Sequence, residues 1–408
     1  MDDWVSENLS AAGKASEKGL CDHCLGRMFG KAGTGMTNVQ RGMILRKALA
    51  SEGIGPEDCS LCDNVFGIIE RLADAAAESL MTAESDNFVI GSRIDPETAR
   101  KEKEMWEELG VTGSAEPLKS EMNREIGKLV AARTGRSAEF RNPQIVACVD
   151  TRFADVTLDI APVFIYGRYN KLSREIPQTI WPCRMCRGKG CGRCGGKGKM
   201  YETSVQEIIG DIAVEMCNGT EHALHGMGRE DIDALMLGTG RPFVLEISQP
   251  KVRNIDLEEL ERRANLSELA KFSGLKFTTR DSVQRTKLLA PSKTYRVKVR
   301  ADGKVNKERV VGVAQSFRNL CIDQRTPARV EHRRADLVRK REVLWVEADW
   351  IDEETFTLTL ETESGTYVKE FVSGDDGRSR PNFSEALGVR CRVETLDVLA
   401  INDHEVII

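Results

Sequence analysis

No stretch of this 408-residue chain approaches the ~18–20 uninterrupted apolar residues that a membrane-spanning helix needs. The first ten residues, MDDWVSENLS, are acidic and polar. A secretory signal needs a basic start and an apolar run, so the expectation is a cytoplasmic protein. No segment repeats at the roughly 20–50-residue period of a solenoid or propeller. The seventeen residues CRMCRGKGCGRCGGKGK, 183–199, contain no acid at all. What remains is an ordinary soluble composition, 40% apolar and 30% charged, on a chain too long for one core. Two or three domains are expected.

Twelve cysteines are present, and eight fall into four CxxC pairs: Cys21/Cys24, Cys59/Cys62, Cys183/Cys186 and Cys191/Cys194. In a reducing compartment such pairs read as metal ligands rather than disulfides. Four thiolates make the standard tetrahedral structural zinc site, whereas a catalytic zinc needs an open position and usually His or Glu ligands. One or two structural zinc ions are therefore expected, with no redox role and no organic cofactor. Cys148, Cys217, Cys321 and Cys391 stand alone among apolar or strand-like residues and are expected in the core.

The stretch 183–199 packs six basic residues and six glycines around its four cysteines. Its paired CxxCxGxG pattern resembles the cysteine-rich module of Hsp40-type co-chaperones. That module comes as four repeats behind a J-domain with an HPD tripeptide; here there are two repeats and no HPD anywhere. Two readings stay open. Arg184, Arg187 and Lys189 project from a rigid zinc knuckle and contact RNA phosphate, or the loop is simply solvated and its glycines permit tight turns.

Net charge is −5, but it is uneven. Residues 280–342 hold eighteen Lys and Arg against seven Asp and Glu, a local surplus of eleven positive charges. With the knuckle, this makes two basic zones on an acidic chain, the footprint of a localised polyanion contact.

Residues 1 to about 80 read as helical, with a CxxC at each end of a helical pair. Residues 98–135 are charged and periodic, and Gly135 offers a C-terminal stop. QIVACVDTRFADVTLDIAPVFIYGRYNKL reads as two or three strands closing a compact α+β unit. After the knuckle, SVQEIIGDIAVEMCN and LEELERRANLSELA read as helices. PFVLEI, TYRVKVRADGKV, EVLWVEADWIDEETFTLTLETESGTYVKEFV and RCRVETLDVLAI read as strands. The resulting division is 1–180, 181–200 for the knuckle, and 201–408 for a strand-rich α+β domain.

HGMGREDIDALMLGTGRPFVLEI, residues 225–247, holds clustered acids in a glycine-rich loop before a strand. On its own such a cluster is more often just solvated. Here GRED, 228–231, matches the GRxD core motif of pseudouridine synthases. The longer run resembles the archaeal-type tRNA pseudouridine synthases acting at uridines 54 and 55 of the T arm. KLSREIPQTIWPCRMCRGKGCGRC, SKTYRVKVR, QRTPARVEHRRADLVRKREV and GTYVKEFVSGDDGRSRPNFSEALG agree with the same family. The segment before the knuckle resembles a THUMP domain, an RNA-binding module that commonly grips the tRNA acceptor end. The chain departs from the family at Leu235, where an Arg is frequent.

The resemblance implies an α+β architecture: a zinc-containing THUMP-like domain, a knuckle, and a synthase domain on a mostly antiparallel mixed sheet. It implies Asp231 as catalytic aspartate, Tyr295 as active-site tyrosine and Lys369 as the basic residue beside the Asp; either Arg229 or Lys369 is expected as the cationic neighbour of Asp231, and Arg229 is also expected to contact RNA. Arg325, Arg329, Arg333 and Arg334, in the basic segment, are expected on the RNA side. The partner implied is tRNA, met by a monomer with no membrane and no obligate protein partner. The reaction is an isomerisation, so it needs no redox or energy cofactor. The rival of another class is a non-catalytic tRNA-binding or assembly factor with idle Asp231. A THUMP thiouridine synthase would need an SGGxDS loop, which is absent. A methyltransferase would need a convincing glycine-rich cofactor loop after a strand, which the sequence does not offer.

Overall fold

A computed structural model describes residues 3–403, apart from the side chain of Arg333. The chain divides into two units: residues 1–161 with 249–253, and residues 162–248 with 254–408.

In the first unit, α1 (Asp3–Glu17), α2 (Asp22–Met28), α3 (Asn38–Leu49) and α4 (Ile69–Leu80) precede β1 (Asn87–Arg93). Helices α5 (Pro96–Leu109) and α6 (Leu118–Thr134) follow, then β2 (Ser137–Ala138), β3 (Ile145–Asp150) and β4 (Asp155–Ile160). Asp95 caps α5 by accepting from the N–H groups of Glu97 and Thr98. Gly135 ends α6 in the left-handed conformation, φ +70°, as its position in the sequence predicts. Helices α2 and α3 cross backbone to backbone. A Cβ on Gly26 would stand 1.7 Å from the Asn38 carbonyl oxygen, and one on Gly42 2.1 Å from that of Asp22. The sheet runs β2-β1-β3-β4, with β1 parallel to β2 and β3, and β4 antiparallel to β3. Met122, Ile126 and Val130, spaced by four, line α6 and are buried in one core with Phe88, Ile90, Ile145 and Ala147. Residues 249–253 complete the unit. The Gln249 side chain accepts from the Ile160 N–H at 3.2 Å, Glu84 N–H donates to the Lys251 carbonyl at 2.8 Å, and Arg253 donates to the Ala161 carbonyl at 2.7 Å.

The second unit is built on one ten-stranded sheet. Its elements are β5 (Val163–Lys171), α7 (Val205–Cys217), β6 (Glu221–Gly226), β7 (Leu235–Ser248), α8 (Leu257–Ala264) and β8 (Ala270–Thr278). Then come α9 (Arg280–Leu288), β9 (Lys293–Ala301), α10 (Lys307–Ser316), β10 (Leu320–Arg325), β11 (Val338–Trp350) and β12 (Thr355–Thr362). Last are α11 (Val368–Ser373), β13 (Ser379–Arg380), α12 (Phe383–Leu387) and β14 (Cys391–Ile401). The strand order is β13-β10-β11-β12-β9-β14-β7-β5-β8, with β6 added on β7. Every neighbouring pair is antiparallel except β7 with β14. The sheet is thus mixed, as expected. Helix α7 matches its predicted span: Ser204 caps it by accepting from the Glu207 N–H, and Asn218 closes it in the left-handed region.

Five expectations change. The division falls at 161/162 rather than 180, because β5 lies between β7 and β8 in the larger sheet. Its run Val163–Tyr169 is buried on both faces apart from Arg168, whereas β4 alternates as a half-exposed strand does. The segment 181–200 belongs to this same unit rather than forming a domain. LEELERRANLSELA is helical only to Ala264. Asn265 turns the chain, its side chain bonding both the N–H and the carbonyl of Phe272. TYVKEFV is not strand: Val368, Phe371 and Val372 are buried at helical spacing in α11. Cys321 is exposed, because it falls on the outward face of β10, where Ile322 and Gln324 point inward. Cys217 and Cys391 are buried and Cys148 is partly so.

Candidate active site

The loop 227–234, between β6 and β7, carries the GRED tetrad. Gly228 adopts φ +78°, a conformation that strains any other side chain, and a Cβ there would crowd Lys293 Nζ at 3.0 Å and Arg241 Nη1 at 3.2 Å. Beneath the loop is a buried network that sequence reasoning passed over. The carboxylate of Glu230 receives Arg241 Nε at 2.9 Å and the Tyr169 hydroxyl at 3.0 Å. Arg241 Nη1 donates to the Met227 carbonyl at 2.7 Å. Gln178 Nε2 donates to the Tyr169 hydroxyl at 2.8 Å and to the Gly228 carbonyl at 3.0 Å. The side chains of Glu230 and Arg241 are each 1% exposed. Burial pushes the Tyr169 phenol well above its ordinary pKa, and the Glu230 charge adds to the rise. The one available signal was Lys and Tyr two apart in the strand YNK. On β5 that spacing puts Tyr169 and Lys171 on the same inward face.

Two further cations fasten the loop by its backbone. Lys171 Nζ donates to the carbonyls of Ile232 (2.6 Å) and Ser173 (2.9 Å). Arg174 Nη1 donates to the Asp233 carbonyl at 2.8 Å and to that of Leu396 at 3.1 Å. The carbonyls on both sides of the peptide segment after Asp231 are thus held, which limits where its side chain can point.

Asp231 and Tyr295 line one cavity of about 220 Å3 together with Arg241, Lys293, Arg329 and Lys369. Asp231 also lines an adjoining cavity of about 360 Å3 with Trp181 and Arg229. Tyr295 sits on β9 opposite Leu360 of β12 and Val398 of β14. Burial pushes its phenol up to about 12, with Arg241 opposing and Asp231 adding. The hydroxyl has no hydrogen-bond partner among the described residues, so it faces the cavity with a proton to share. The ring offers a flat apolar surface of the kind that stacks an extruded base.

The cation nearest Asp231 is not the one the sequence suggested. Arg329 Nη1 lies 3.1 Å from Asp231 Oδ2, and its Nε donates to Glu370 at 2.6 Å. Lys369 Nζ lies 3.7 Å from Asp231 Oδ2 and 2.7 Å from Asp233 Oδ2. Although partial burial acts the other way, Lys369 holds the Asp233 carboxyl below its ordinary range. Arg229 is exposed and lies over the Trp181 ring, 5.8 Å from its centroid. Arg334 lines the cavity wall, donating to the Tyr367 hydroxyl at 2.9 Å. Arg325 is turned away and paired with Asp336. The side chain of Arg333 lies outside the described residues. A cavity in the first unit, about 470 Å3 and lined by Arg93, Lys119 and Arg152 among others, has no tyrosine in its wall. It is larger, but it lacks the groups for this chemistry.

The cysteines assemble as two tetrads, Cys21/Cys24/Cys59/Cys62 and Cys183/Cys186/Cys191/Cys194, each with four sulfurs within 4.8 Å of one another. Measured pairs stand at 3.9 Å for Cys21–Cys62, Cys183–Cys191 and Cys186–Cys194, and 3.7 Å for Cys191–Cys194. A tetrahedron of ~2.3 Å zinc–sulfur bonds has edges of about 3.8 Å, so the geometry fits zinc. Backbone N–H groups already point at the sulfurs, from Cys21 to Cys59 and from Cys191 and Gly198 to Cys194, each at 3.2 Å. Such donors stabilise thiolates. In the second tetrad Arg184, Arg187 and Lys189 are exposed and make no ion pair among the described residues. The knuckle closes at its base through the Pro182–Lys199 bridge and the edge-to-face pair Trp181–Tyr201, 5.6 Å between centroids.

Residues 164–402 match the family description "Pus10, C-terminal", and residues 72–150 match "Pus10 THUMP domain, archaeal". A protein of Halorubrum lacusprofundi named tRNA pseudouridine synthase Pus10 is 36% identical over 413 residues, covering 97% of this chain and 97% of its own. The protein of the same name from Methanothermobacter marburgensis is 39% identical over 406 residues, covering 98% and 99%.

Proposed function

The chain belongs to the Pus10 family and is a tRNA pseudouridine synthase, an isomerase; on that footing we propose that Asp231 acts on the target uridine, in the T arm at position 54, 55 or both. The observation that carries the site assignment is one cavity wall. An aspartate flanked by two cations shares it with a buried tyrosine whose hydroxyl is unengaged among the described residues. Pseudouridine formation breaks the N1–C1′ bond of uridine, turns the base and rejoins it through C5. A single carboxylate near C1′ suffices if it stays ionised in a pocket that excludes water. Arg329 and Lys369 are the cations beside the Asp231 carboxylate, at 3.1 and 3.7 Å from its Oδ2. Tyr295 offers its ring to the extruded base and its hydroxyl to proton movement. Uridine must leave its stack to reach this cavity, so the surrounding RNA has to be held firmly. The basic segment around Arg329 and Arg334 borders the cavity and suits that task.

The first unit, with its THUMP match, acts as the tRNA grip. Arg93, Lys119 and Arg152 line its cavity, and Phe153, 74% exposed, carries Arg152 over its ring at 5.0 Å. Both tetrads hold structural zinc, and the knuckle arginines contact RNA phosphate. The protein works in the cytoplasm as a monomer without an obligate protein partner. No helix among the described residues is long and apolar enough to cross a membrane.

The test is to incubate the protein with unmodified tRNA transcript and map pseudouridine by carbodiimide-blocked primer extension. Wild type is expected to mark uridine 54, 55 or both. Asp231→Asn is expected to abolish the mark while tRNA binding stays within about threefold. Retained activity in Asp231→Asn removes the residue from its role.

A further inference from the structure

The cavity that holds Asp231 also contains a charge that the chemistry above leaves unused. Lys293 begins β9, two residues before Tyr295, and the strand's period of two puts both on one face. Its ladder neighbours, Thr362 on β12 and Ile401 on β14, carry no charge. The residue is 9% exposed and its side chain lines the cavity. The GRED loop passes close to its ammonium: a Cβ on Gly228 would stand 3.0 Å from Lys293 Nζ and 3.2 Å from Arg241 Nη1. Glu230 is the carboxylate closest in influence, but its oxygens are taken by Arg241 and Tyr169.

Every other cation on this wall is engaged. Arg329 and Lys369 hold carboxylates, Arg334 holds Tyr367, Arg241 holds Glu230, and Arg229 lies over Trp181. Among the described residues, Lys293 Nζ alone of these makes no hydrogen bond, ion pair or ring contact. Burial and then the like charge of Arg241 pull its pKa down to about 8, with Glu230 opposing. A buried ammonium without a partner is costly, and an apolar side chain of the same length is the cheaper filling for such a position. The charge therefore calls for a ligand that enters the cavity.

The reaction supplies one. When the C1′–N1 bond breaks, its electron pair goes to the base and leaves a uracilate whose charge spreads over N1 and the two carbonyl oxygens. C1′ is left electron-poor beside the Asp231 carboxylate. After the base turns, C5 provides the pair for the new C1′–C5 bond, the C5 hydrogen leaves as a proton, and N1 takes up a proton. We propose that Lys293 is a further catalytic residue, whose ammonium donates to a carbonyl oxygen of the extruded uracil and stabilises the negative charge that builds there. It neither gives nor takes a proton in the cycle. The inference rests on the Asp231 cavity being the place of reaction.

Single-turnover rates at saturating enzyme, on one unmodified tRNA transcript, test it. Lys293→Met is expected to slow the reaction roughly a hundredfold, the usual cost of one donor to a developing oxyanion. The tRNA Kd is expected to stay within twofold, and Tm to hold or rise. The wild-type rate is expected to fall as pH rises through about 8. Lys171 also titrates near 8, so the limb alone does not identify its source. Lys293→Met removes the limb if it belongs to Lys293 and keeps it if it belongs to Lys171. In the wild type, 2-thiouridine or 4-thiouridine at the target position weakens one acceptor. One of the two is expected to slow the wild type, a comparison that needs no variant, and where Lys293→Met folds the same substitution is expected to leave its rate unchanged. A Lys293→Met rate within threefold of wild type, an intact alkaline limb, or a loss confined to Kd overturns the proposal. Absence of pseudouridine with the wild type is a different outcome and removes the reading of the cavity itself.

Discussion

The guanidinium of Arg329 lies 3.1 Å from Oδ2 of Asp231, and its other edge donates to Glu370. One planar group thus positions the carboxylate of the loop against a fixed acid on α11, a bridge that a lysine ammonium does not reproduce.

Arg329→Ala is expected to lower the single-turnover rate roughly a hundredfold, because Asp231 loses its nearest cation and its orientation. Arg329→Lys recovers part of this, and Glu370→Gln gives a smaller loss. If Arg329→Ala weakens only tRNA affinity in a filter-binding titration, the residue serves RNA contact alone.

The Glu230–Arg241 pair is fully buried, so removing one partner strands the other. Glu230→Gln and Arg241→Met are each expected to cost about 3–5 kcal/mol, seen as a fall of roughly 10 °C in Tm. The double variant Glu230→Leu/Arg241→Met is expected to cost less than the two singles combined. Strict additivity in thermal unfolding shows that the two residues act separately.

Stability is expected to rise with pH between about 8 and 10. Burial pulls Lys171 and Lys293 down to about 8 in the folded state, against ~10.4 for a free lysine. In that window the unfolded chain binds more protons, so raising pH favours the fold. Above ~10 the sign reverses, since Tyr295, pushed up to about 12 by burial, keeps a proton that the unfolded chain releases. Calorimetric Tm values across pH 7–11 check this, and Lys171→Met is expected to flatten the rising limb.

Metal analysis is expected to find two zinc ions per chain, and one in either Cys183→Ser or Cys59→Ser. Strong chelation is expected to lower Tm through the tetrad in the α2–α3 region and to weaken tRNA affinity through the knuckle. Metal-free protein of unchanged Tm and affinity removes the structural role.

Much of this arrangement was legible in the sequence for physical reasons that can be named. CxxC spacing lets one turn supply two ligands, so both tetrads were readable before any coordinates. Ser204 and Gly135 marked helix ends because a cap and a left-handed stop are local chemistry. The GRED motif led to the loop, and Tyr295 and Lys369 are found in the same cavity as Asp231. What was not legible is what sits beneath. Tyr169, Lys171, Gln178 and Arg241 come from β5, the segment after it and β7, and only tertiary pairing brings them under residues 228–233. Arg329 looked like one of several arginines in a basic run, and nothing local distinguishes it from Arg325, which turns to Asp336 instead. The division at 180 failed because strand runs on either side of Pro162 read as one block. The difference between half-buried β4 and fully buried β5 is a difference of sheets, not of composition.

Residues 249–253 give the first unit hydrogen bonds from beyond an 87-residue excursion, residues 162–248. A chain made from its N-terminus on the ribosome cannot finish that unit until residue 253 has left the exit tunnel. By then β5, the knuckle, the GRED loop and β7 are already outside. Completion of the N-terminal unit is therefore timed by synthesis of part of the catalytic one, and a nascent chain halted anywhere between 162 and 248 lacks the bonds that Gln249, Lys251 and Arg253 make to the first unit.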